Sequence, residues 1–247
     1  MDLLHDNIDN LTSLWKTVGQ PIEAYHATVY FDYCVVSDSE SPNKLWSHGD
    51  VNEERLTAAK HQLRTLPTEV GVPYFDIHAS QSYRLLEANG FEQQSEQIGM
   101  VLPLSQHREQ PEDLYLQEVS TEEEAKQWED IFRRAFGYHI SYRLLLPHYE
   151  TTHFWTAYHR DGEPVGTAVL HHTDDRVMGI HSMSILPEMR RKGLAEQMMR
   201  QLLNQSLRRG FGYATLQASE MGRGLYQKLG FDEQFVMKNY ALKPAAV

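Results

Sequence analysis

Residues 180–195, IHSMSILPEMRRKGLA, contain the residue types that could bind a phosphate group. An apolar run ends in a Pro-Glu turn, and the basic residues Arg190, Arg191 and Lys192 then precede Gly193. A glycine lets the backbone pass close to a ligand, and the start of a helix offers unpaired amides at the positive end of its dipole. Basic side chains add charge attraction. The segment therefore predicts a strand, a turn and a helix whose N-terminus binds a pyrophosphate.

Two other phosphate-binding patterns are absent from the sequence. Neither the P-loop pattern GxxxxGK[ST] nor the dinucleotide pattern GxGxxG after a strand occurs. The predicted phosphate site is therefore of a different kind.

The segment resembles the acyl-CoA-binding motif of the GNAT superfamily of N-acetyltransferases, [RQ]xxGx[GA] after a strand that ends in a Pro-acidic turn. Arg190, Gly193 and Ala195 occupy the motif positions. Residues 222–231, GRGLYQKLGF, resemble the second family block, in which a short helix with a tyrosine precedes Gly-Phe. The resemblance covers residues 113–247. The Ala195 ending and the two-part layout are also similar to the glycine N-acyltransferase-like branch.

The resemblance implies that acetyl-CoA is the acyl donor and that no metal takes part. In the family, two neighbouring strands splay apart and the pantetheine arm lies between them. The donor contacts implied here are Met183, Ser184 and Ile185 on the first strand, Arg190 and the amides of Arg191, Lys192, Gly193, Leu194, Ala195 and Glu196 at the helix start, and Ser219, where the family often has Asn.

The resemblance also implies direct attack of an amine on the thioester, with a backbone amide near Met183 stabilising the oxyanion. Tyr226 stands at the family's usual position for the acid that protonates the departing thiolate. His181 is a candidate for the base, because imidazole titrates near neutral pH. Glu220 is the next candidate. A structural or substrate-positioning role for His181, and proton loss through a water chain, are the alternatives. With a period of two, His181 shares a strand face with Met183 and Ile185.

The second half alternates between predicted strands and helices, which indicates an α/β fold with a mixed sheet. Strands are predicted over residues 114–119, 154–158, 165–171, 179–186, 213–218 and 235–242. One helix is predicted to begin at a capping box of Ser120 and Glu123. Two more are predicted over 194–207 and 224–229, and a further helix or lid over 143–148. In the first half, helices are predicted over 8–16 and 53–63, and strands over 27–36 and 73–79.

Two sequence blocks occur twice in the chain. YFDIHAS at 74–80 matches YATLQAS at 213–219, an offset of 139, and LLEANGF at 85–91 matches LYQKLGF at 225–231, an offset of 140. We interpret the chain as two tandem GNAT-like domains over residues 1–104 and 113–247, joined by a polar linker over 105–112. The second domain is the predicted catalytic one.

The first half lacks both features that indicate chemistry. Leu86 stands at the position equivalent to Tyr226, and the acidic segment 46–56, WSHGDVNEERL, replaces the phosphate loop. Residues 1–112 contain 7 Lys+Arg and 17 Asp+Glu, whereas residues 113–247 contain 16 and 17. We expect a degenerate domain that covers the catalytic half or shapes its acceptor pocket. The acidity of this half favours an acceptor with an additional positive charge or a free primary amine. The alternative explanation of the acidity is a solvated acidic face.

Composition excludes several classes of protein. The net charge of −11 argues against a partner nucleic acid. No run approaches the roughly 18 apolar residues of a spanning helix, and the start MDLLHDNIDN does not resemble a signal peptide, so we expect a cytoplasmic protein without a membrane partner. The single cysteine, Cys34, cannot pair within the chain, and we expect a buried thiol and no thiolate zinc site.

The sequence therefore predicts an acyl-CoA-dependent N-acyltransferase, and acetyl is the acyl group that we expect it to transfer. The acceptor is a small-molecule or peptidyl amine, and the protein is a monomer or homodimer. A non-catalytic acyl-CoA sensor and an N-acyltransferase with a longer acyl donor are the alternatives. Tyr226 beside a complete loop favours the enzyme, because a sensor needs only the loop.

Overall fold

The structure, a computed structural model, describes residues 2–109 and 113–244. The first half has helices α1 (Leu3–Gly19), α2 (Glu53–Thr65) and α3 (Tyr83–Ala88), and strands β1 (Tyr25–Ala27), β2 (Phe31–Cys34), β3 (Lys44–Ser47), β4 (Val72–Asp76) and β5 (Phe91–Pro103). The second half has helices α4 (Glu122–Phe136), α5 (Leu194–Arg208) and α6 (Glu220–Lys228), and strands β6 (Leu114–Glu118), β7 (Thr152–His159), β8 (Pro164–His172), β9 (Val177–His181), β10 (Tyr213–Ala218) and β11 (Asp232–Leu242).

An eight-stranded mixed sheet runs through both halves in the order β4-β11-β5-β10-β9-β8-β7-β6. Strands β9 and β10 are parallel, and the other neighbouring pairs are antiparallel. Strands β1, β2 and β3 form a separate small sheet. The predicted α/β class with a mixed sheet is confirmed.

The repeated sequence blocks correspond to two strand–helix–strand units, β4-α3-β5 and β10-α6-β11. Each unit gives its long second strand to the other, because β5 pairs with β10 and β11 pairs with β4. The two long strands also pair with each other over most of their length. The division into domains over 1–104 and 113–247 stays a prediction, and the sheet is continuous across it.

Helices cover both faces of the large sheet. Helices α5 and α6 pack on one face, where Met198 and Leu202 meet Ile180 and Leu216. Helices α1 and α4 pack on the other face through a cluster that includes Leu11, Leu14, Trp128, Phe132, Phe154 and Val169. The alternation of β8, with Val169 in one cluster and Ala168 and Leu170 in the other, is what a strand buried on both faces requires.

Several predicted elements are wrong in detail. The capping box of α4 uses Thr121 and Glu124, one residue later than predicted, because threonine is also among the residues that cap helices. The predicted strand over 27–36 is a hairpin of β1 and β2. The predicted helix or lid over 143–148 is a 3-10 turn at Tyr142–Leu145.

The predicted linker packs against α5 in its first part. The amide of Arg108 donates to Asn204 Oδ1 at 2.9 Å, and Asn204 Nδ2 donates to the Arg108 carbonyl at 2.9 Å. Its last residues, 110–112, lie outside the described residues. Cys34 is fully buried, and burial raises the pKa of its thiol to about 12. Within the described ranges no helix has the length and apolar character to cross a membrane.

Candidate active site

A gap opens in the sheet where β9 and β10 separate. They pair only from Val177 to Gly179 and from Tyr213 to Thr215, whereas β10 stays paired with β5 as far as Ala218. A cavity of about 750 Å³ opens at this gap and extends to α1, α4 and loops of the first half. Two parallel strands that part in this way leave backbone groups unpaired between them.

The chain after β9 follows β8 rather than β10. Ser182 has a φ of 50°, which ends the regular strand, and the amides of Ser184 and Leu186 then donate to Thr167 and Val165 of β8 at 2.9 and 2.8 Å. Because successive backbone groups of an extended chain point to opposite sides, those of Met183 and Ile185 face the gap.

The left-handed residue at 182 also changes the predicted strand faces. His181 contacts α1, whereas Met183 and Ile185 pack with the cluster on the α5 side. The prediction that His181 shares a face with Met183 and Ile185 is therefore wrong. The prediction treats 179–186 as one regular strand, and the left-handed backbone of Ser182 reverses the alternation of its side chains.

Residues 182–186, which we call the gap segment, are followed by a 3-10 turn at Pro187–Met189 and then by the start of α5. Arg191 and Gly193 have φ values of 62° and 77°, and Gly193 is the N-cap of α5. No side chain caps the helix there, so the first-turn amides, including those of Leu194, Ala195 and Glu196, have no intrahelical partner. This arrangement suits a pyrophosphate, which is an anion with many acceptor oxygens.

The charged side chains of the loop have different roles. The guanidinium of Arg190 donates to the carbonyls of Ile185 and Ala135, at 3.1 and 3.0 Å, and so ties the loop to the gap segment and to the end of α4. The side chains of Arg191 and Lys192 are exposed beside the helix start. Glu196 forms ion pairs with Lys228 and Arg200, at 2.6 and 2.8 Å, which offset its charge near the amides.

Helix α6 brings Tyr226 into the gap. Ser219 caps this helix by accepting a hydrogen bond from the amide of Gly222, and Ser219 also lines the cavity. The Tyr226 ring packs edge-on against Phe231 and lies over Gly222, where a Cβ would come within 2.9 Å of Cε2. Its hydroxyl lies 3.8 Å from Met183 Sδ. Burial raises the pKa of Tyr226 to about 12, so the hydroxyl is a neutral proton donor at physiological pH.

The two candidate bases differ in position. His181 lines the cavity and is 8% exposed, and its Nε2 lies 2.8 Å from Oδ1 of Asn10 on α1. Burial lowers the pKa of His181 to about 4, partly offset by a hydrogen bond with Gln217. The imidazole is therefore neutral at physiological pH and a weak base. Glu220 is exposed at the start of α6 and is not among the residues that line the cavity.

Sequence reasoning expects the first half to cover the catalytic half or to shape its acceptor pocket, but it identified none of the residues by which the first half reaches the cavity. Its residues that line the cavity include Leu11, Leu14, Trp15, Val18, Glu40, Lys44, Glu69 and Gln97. The signal available in the sequence was the pair Asn7 and Asn10, two amides among the apolar residues of the first helix. In the part of the chain that the structure describes, no group of three or more His, Cys, Asp or Glu residues is arranged to hold a metal.

Comparison with known proteins agrees with this geometry. Residues 114–231 match the model of the Acetyltransferase (GNAT) family. No curated protein sequence matches the chain.

Solved structures with the same fold cover nearly the whole chain. A GCN5-related N-acetyltransferase from Kribbella flavida is 14% identical, with a TM-score of 0.73 over 97% of this chain and 96% of its own. A putative acetyltransferase of the GNAT family from Novosphingobium aromaticivorans is 13% identical, with a TM-score of 0.65 over 97% and 99%. A tandem GNAT protein from the clavulanic acid biosynthesis pathway is 13% identical, with a TM-score of 0.59 over 87% and 79%. Residues 114–231, slightly less than half of the chain, therefore match a GNAT acetyltransferase domain, and nearly the whole chain shares the fold of solved GNAT structures.

Proposed function

We propose that the protein transfers an acetyl group from acetyl-CoA to a primary amine, by direct attack within a ternary complex. The family and the fold support acyl-CoA-dependent N-acyl transfer in general. The observation that supports the proposal most is the gap between β9 and β10: the Tyr226 hydroxyl lies beside Met183 on its wall, and Arg190, just before the glycine-capped start of α5, donates to the Ile185 carbonyl of the same wall.

Acetyl-CoA fits the gap in chemical terms. The backbone groups of Met183 and Ile185 that face the gap can pair with the amides of the pantetheine arm, as a third strand would. The amides of residues 191–196 can hold the pyrophosphate, with the exposed Arg191 and Lys192 adding positive charge. The amide of Met183 then lies at the inner end of the arm, where it can donate to the thioester oxygen as negative charge develops.

The reaction needs one bond made, one bond broken and two protons moved. The amine nitrogen attacks the thioester carbon, the carbon–sulfur bond breaks, and the leaving thiolate takes the proton of Tyr226. The acceptor loses its own proton to His181, or to water that reaches the gap. Because the pKa of Tyr226 is raised to about 12, the tyrosine holds its proton until the thiolate leaves.

We propose that the acceptor carries a second positive charge besides the amine that reacts. Glu40 and Glu69 line the part of the cavity that belongs to the first half, and the aromatic residues Phe136 and Tyr138 line the same cavity. Carboxylates and aromatic faces both attract cations. Lys44 also lines this part, so the cation is expected to pair with the carboxylates away from that ammonium.

An acceptor screen tests the proposal. Purified protein and acetyl-CoA are incubated with a panel of amines, and free thiol is measured at low and high salt. We expect thiol release that depends on the amine, with dicationic amines preferred and the preference weakened by salt. Slow thiol release that no amine accelerates would favour an acyl-CoA sensor, and a preference for neutral amines without a salt effect would remove the second charge.

A further inference from the structure

Helix α1 of the first half presents three polar side chains to the large sheet. Asn7, Asn10 and Ser13 follow one another at three-residue spacing, and the two asparagines are fully buried. Burying an amide is costly unless its donors and acceptors find partners. Their partners therefore indicate what this polar stripe is for.

Asn10 connects two histidines of the second half. Its Nδ2 donates to the backbone carbonyl of His171 at 2.9 Å, and its Oδ1 lies 2.8 Å from Nε2 of His181. A carbonyl can only accept a hydrogen bond, so the amide nitrogen must face His171 and the amide oxygen must face His181. An oxygen at that place requires a proton on Nε2 of His181. The side chain of Gln217 is a second hydrogen-bond partner of His181. With the proton on Nε2 directed at Asn10, the lone pair of the neutral imidazole is on Nδ1.

Strand β9 leaves space for this hydrogen bond at Gly179. A Cβ on Gly179 would lie 1.8 Å from Asn10 Oδ1 and 2.4 Å from His181 Nε2. Both distances are far shorter than a van der Waals contact, so no larger residue fits at position 179 while the bond is present. The φ of Gly179 is not in the left-handed region. The glycine is therefore needed for the space and not for its backbone conformation.

The other partners of α1 support the same reading. Ser13 Oγ lies 2.6 Å from Nε2 of His171, and Thr152 Oγ1 lies 2.8 Å from its Nδ1, so His171 is bonded on both sides. Both ring nitrogens of His171 therefore have partners, whereas the carbonyl that orients Asn10 belongs to the backbone of β8. The imidazole of His181, by contrast, lines the cavity.

We propose that Asn10 is a positioning residue that fixes His181 as the tautomer with Nε2 protonated and Nδ1 able to accept a proton. The consequence for catalysis rests on the proposed function, because it matters only if His181 takes the proton of the amine. The first half then supplies a part of the active site that the second half lacks. This role differs from covering the site or lining the acceptor pocket.

The tautomer can be measured without any acceptor. Protein labelled with ¹⁵N-histidine is studied by NMR at neutral pH, and the signals of His181 are assigned by their loss in His181→Gln. We expect the wild type to show a protonated Nε2 and an unprotonated Nδ1. The opposite tautomer in the wild type would overturn the proposal, whatever the variants do.

Two substitutions of Asn10 separate the accepting oxygen from packing. Asn10→Asp keeps an oxygen facing Nε2 and is expected to keep the tautomer, whereas Asn10→Leu removes it and is expected to give a mixture of tautomers. Ser13→Ala, which removes a hydrogen bond from the same helix without touching His181, is the matched control and is expected to keep the wild-type tautomer. If Asn10→Leu keeps the single tautomer, Asn10 does not fix it.

Kinetics test the catalytic consequence separately. With the best amine from the screen, Asn10→Leu should lower kcat at least about tenfold, since general base catalysis contributes about 10²–10⁴-fold, and should leave the KM for acetyl-CoA unchanged. Equal loss in Ser13→Ala would overturn the positioning role, because it would indicate a general effect of loosening α1. If no amine is acetylated, the proposed function fails and the NMR result still decides the tautomer.

Discussion

At the scale of single residues, the proposed chemistry depends on two side chains whose pKa values burial moves away from neutrality. Burial raises the pKa of Tyr226 to about 12 and lowers that of His181 to about 4. The first change keeps a proton on the residue that must give one, and the second keeps the imidazole neutral. Sequence reasoning identified both residues from motif position, but it could not foresee the burial, because that depends on α1 and on the packing over Gly222.

Replacing Tyr226 by Phe tests the acid at this scale. Removal of the hydroxyl should lower kcat about 10²-fold, since a positioned acid contributes about 10²–10⁴-fold. The KM for acetyl-CoA should stay within about twofold, because the ring that packs on Phe231 and Gly222 is kept. Steady-state thiol release is the measurement. An unchanged kcat would remove Tyr226 from the mechanism.

The buried His181 predicts how stability depends on pH. The unfolded chain has a histidine pKa of about 6.5 and the folded chain one of about 4, so the unfolded state binds the proton more readily. The free energy of unfolding should therefore fall as pH is lowered from about 6.5 to 4, by about 2–3 kcal/mol from this residue alone. Urea unfolding at several pH values measures the slope.

A variant of the same histidine identifies the source of that slope. His181→Gln should flatten the decrease in stability between pH 6.5 and 4, whereas His61→Gln, at an exposed position of α2, should leave it as in the wild type. His171 adds a slope of the same sign, since burial also lowers its pKa, to about 3. A slope that His181→Gln does not change would mean that His181 is not held neutral.

Individual elements explain why the proposed donor site is visible in the sequence and the course of the chain after β9 is not. The glycine at the start of α5 was visible in the sequence because only glycine readily takes a φ of 77°. Ser182 takes a φ of 50° although it is not glycine, so nothing in the sequence marked the end of β9. Asn10 was missed because its partners are more than 150 residues away in the chain.

Two glycines at opposite ends of α5 provide a matched test of the donor site. Gly193 and Gly210 both have left-handed backbones, with φ values of 77° and 91°, and a Cβ on either would meet nothing within 4 Å. Alanine at either position should lower stability by about 1 kcal/mol, because an L-residue is strained there. Only Gly193→Ala should also weaken CoA binding, by about tenfold, which corresponds to about 1.4 kcal/mol.

Calorimetric titration with CoA measures that difference, and urea unfolding checks that both variants lose similar stability. Equal CoA affinity in the two variants would contradict the assignment of the α5 start as the pyrophosphate site.

The whole molecule is held together by strands that the two halves exchange. Strand β5 lies between β10 and β11, and β11 lies between β5 and β4, so neither half completes the sheet alone. The repeat in the sequence predicts two related domains, and in the structure the repeated blocks form the strand–helix–strand units β4-α3-β5 and β10-α6-β11. The exchange between them could not be predicted, because identical patterning would allow each long strand to pair within its own unit.

This exchange predicts one cooperative unfolding transition. The four tryptophans allow the halves to be followed separately: Trp15 and Trp46 lie in the first half, and Trp128 and Trp155 in the second. A variant with Phe at the first pair and another with Phe at the second pair should give the same fluorescence midpoint in urea as circular dichroism does. Two separate midpoints would mean that the halves unfold independently.

The central claim is that the gap between β9 and β10 delivers an acyl group from acetyl-CoA to an amine. Its most direct test is mass spectrometry of the amine after incubation with isotopically labelled acetyl-CoA and the protein, together with measurement of free thiol. The account predicts one labelled acetyl group on the amine nitrogen for each thiol released, with both products forming about 10²-fold more slowly in Tyr226→Phe. Thiol release without labelled amine would contradict it.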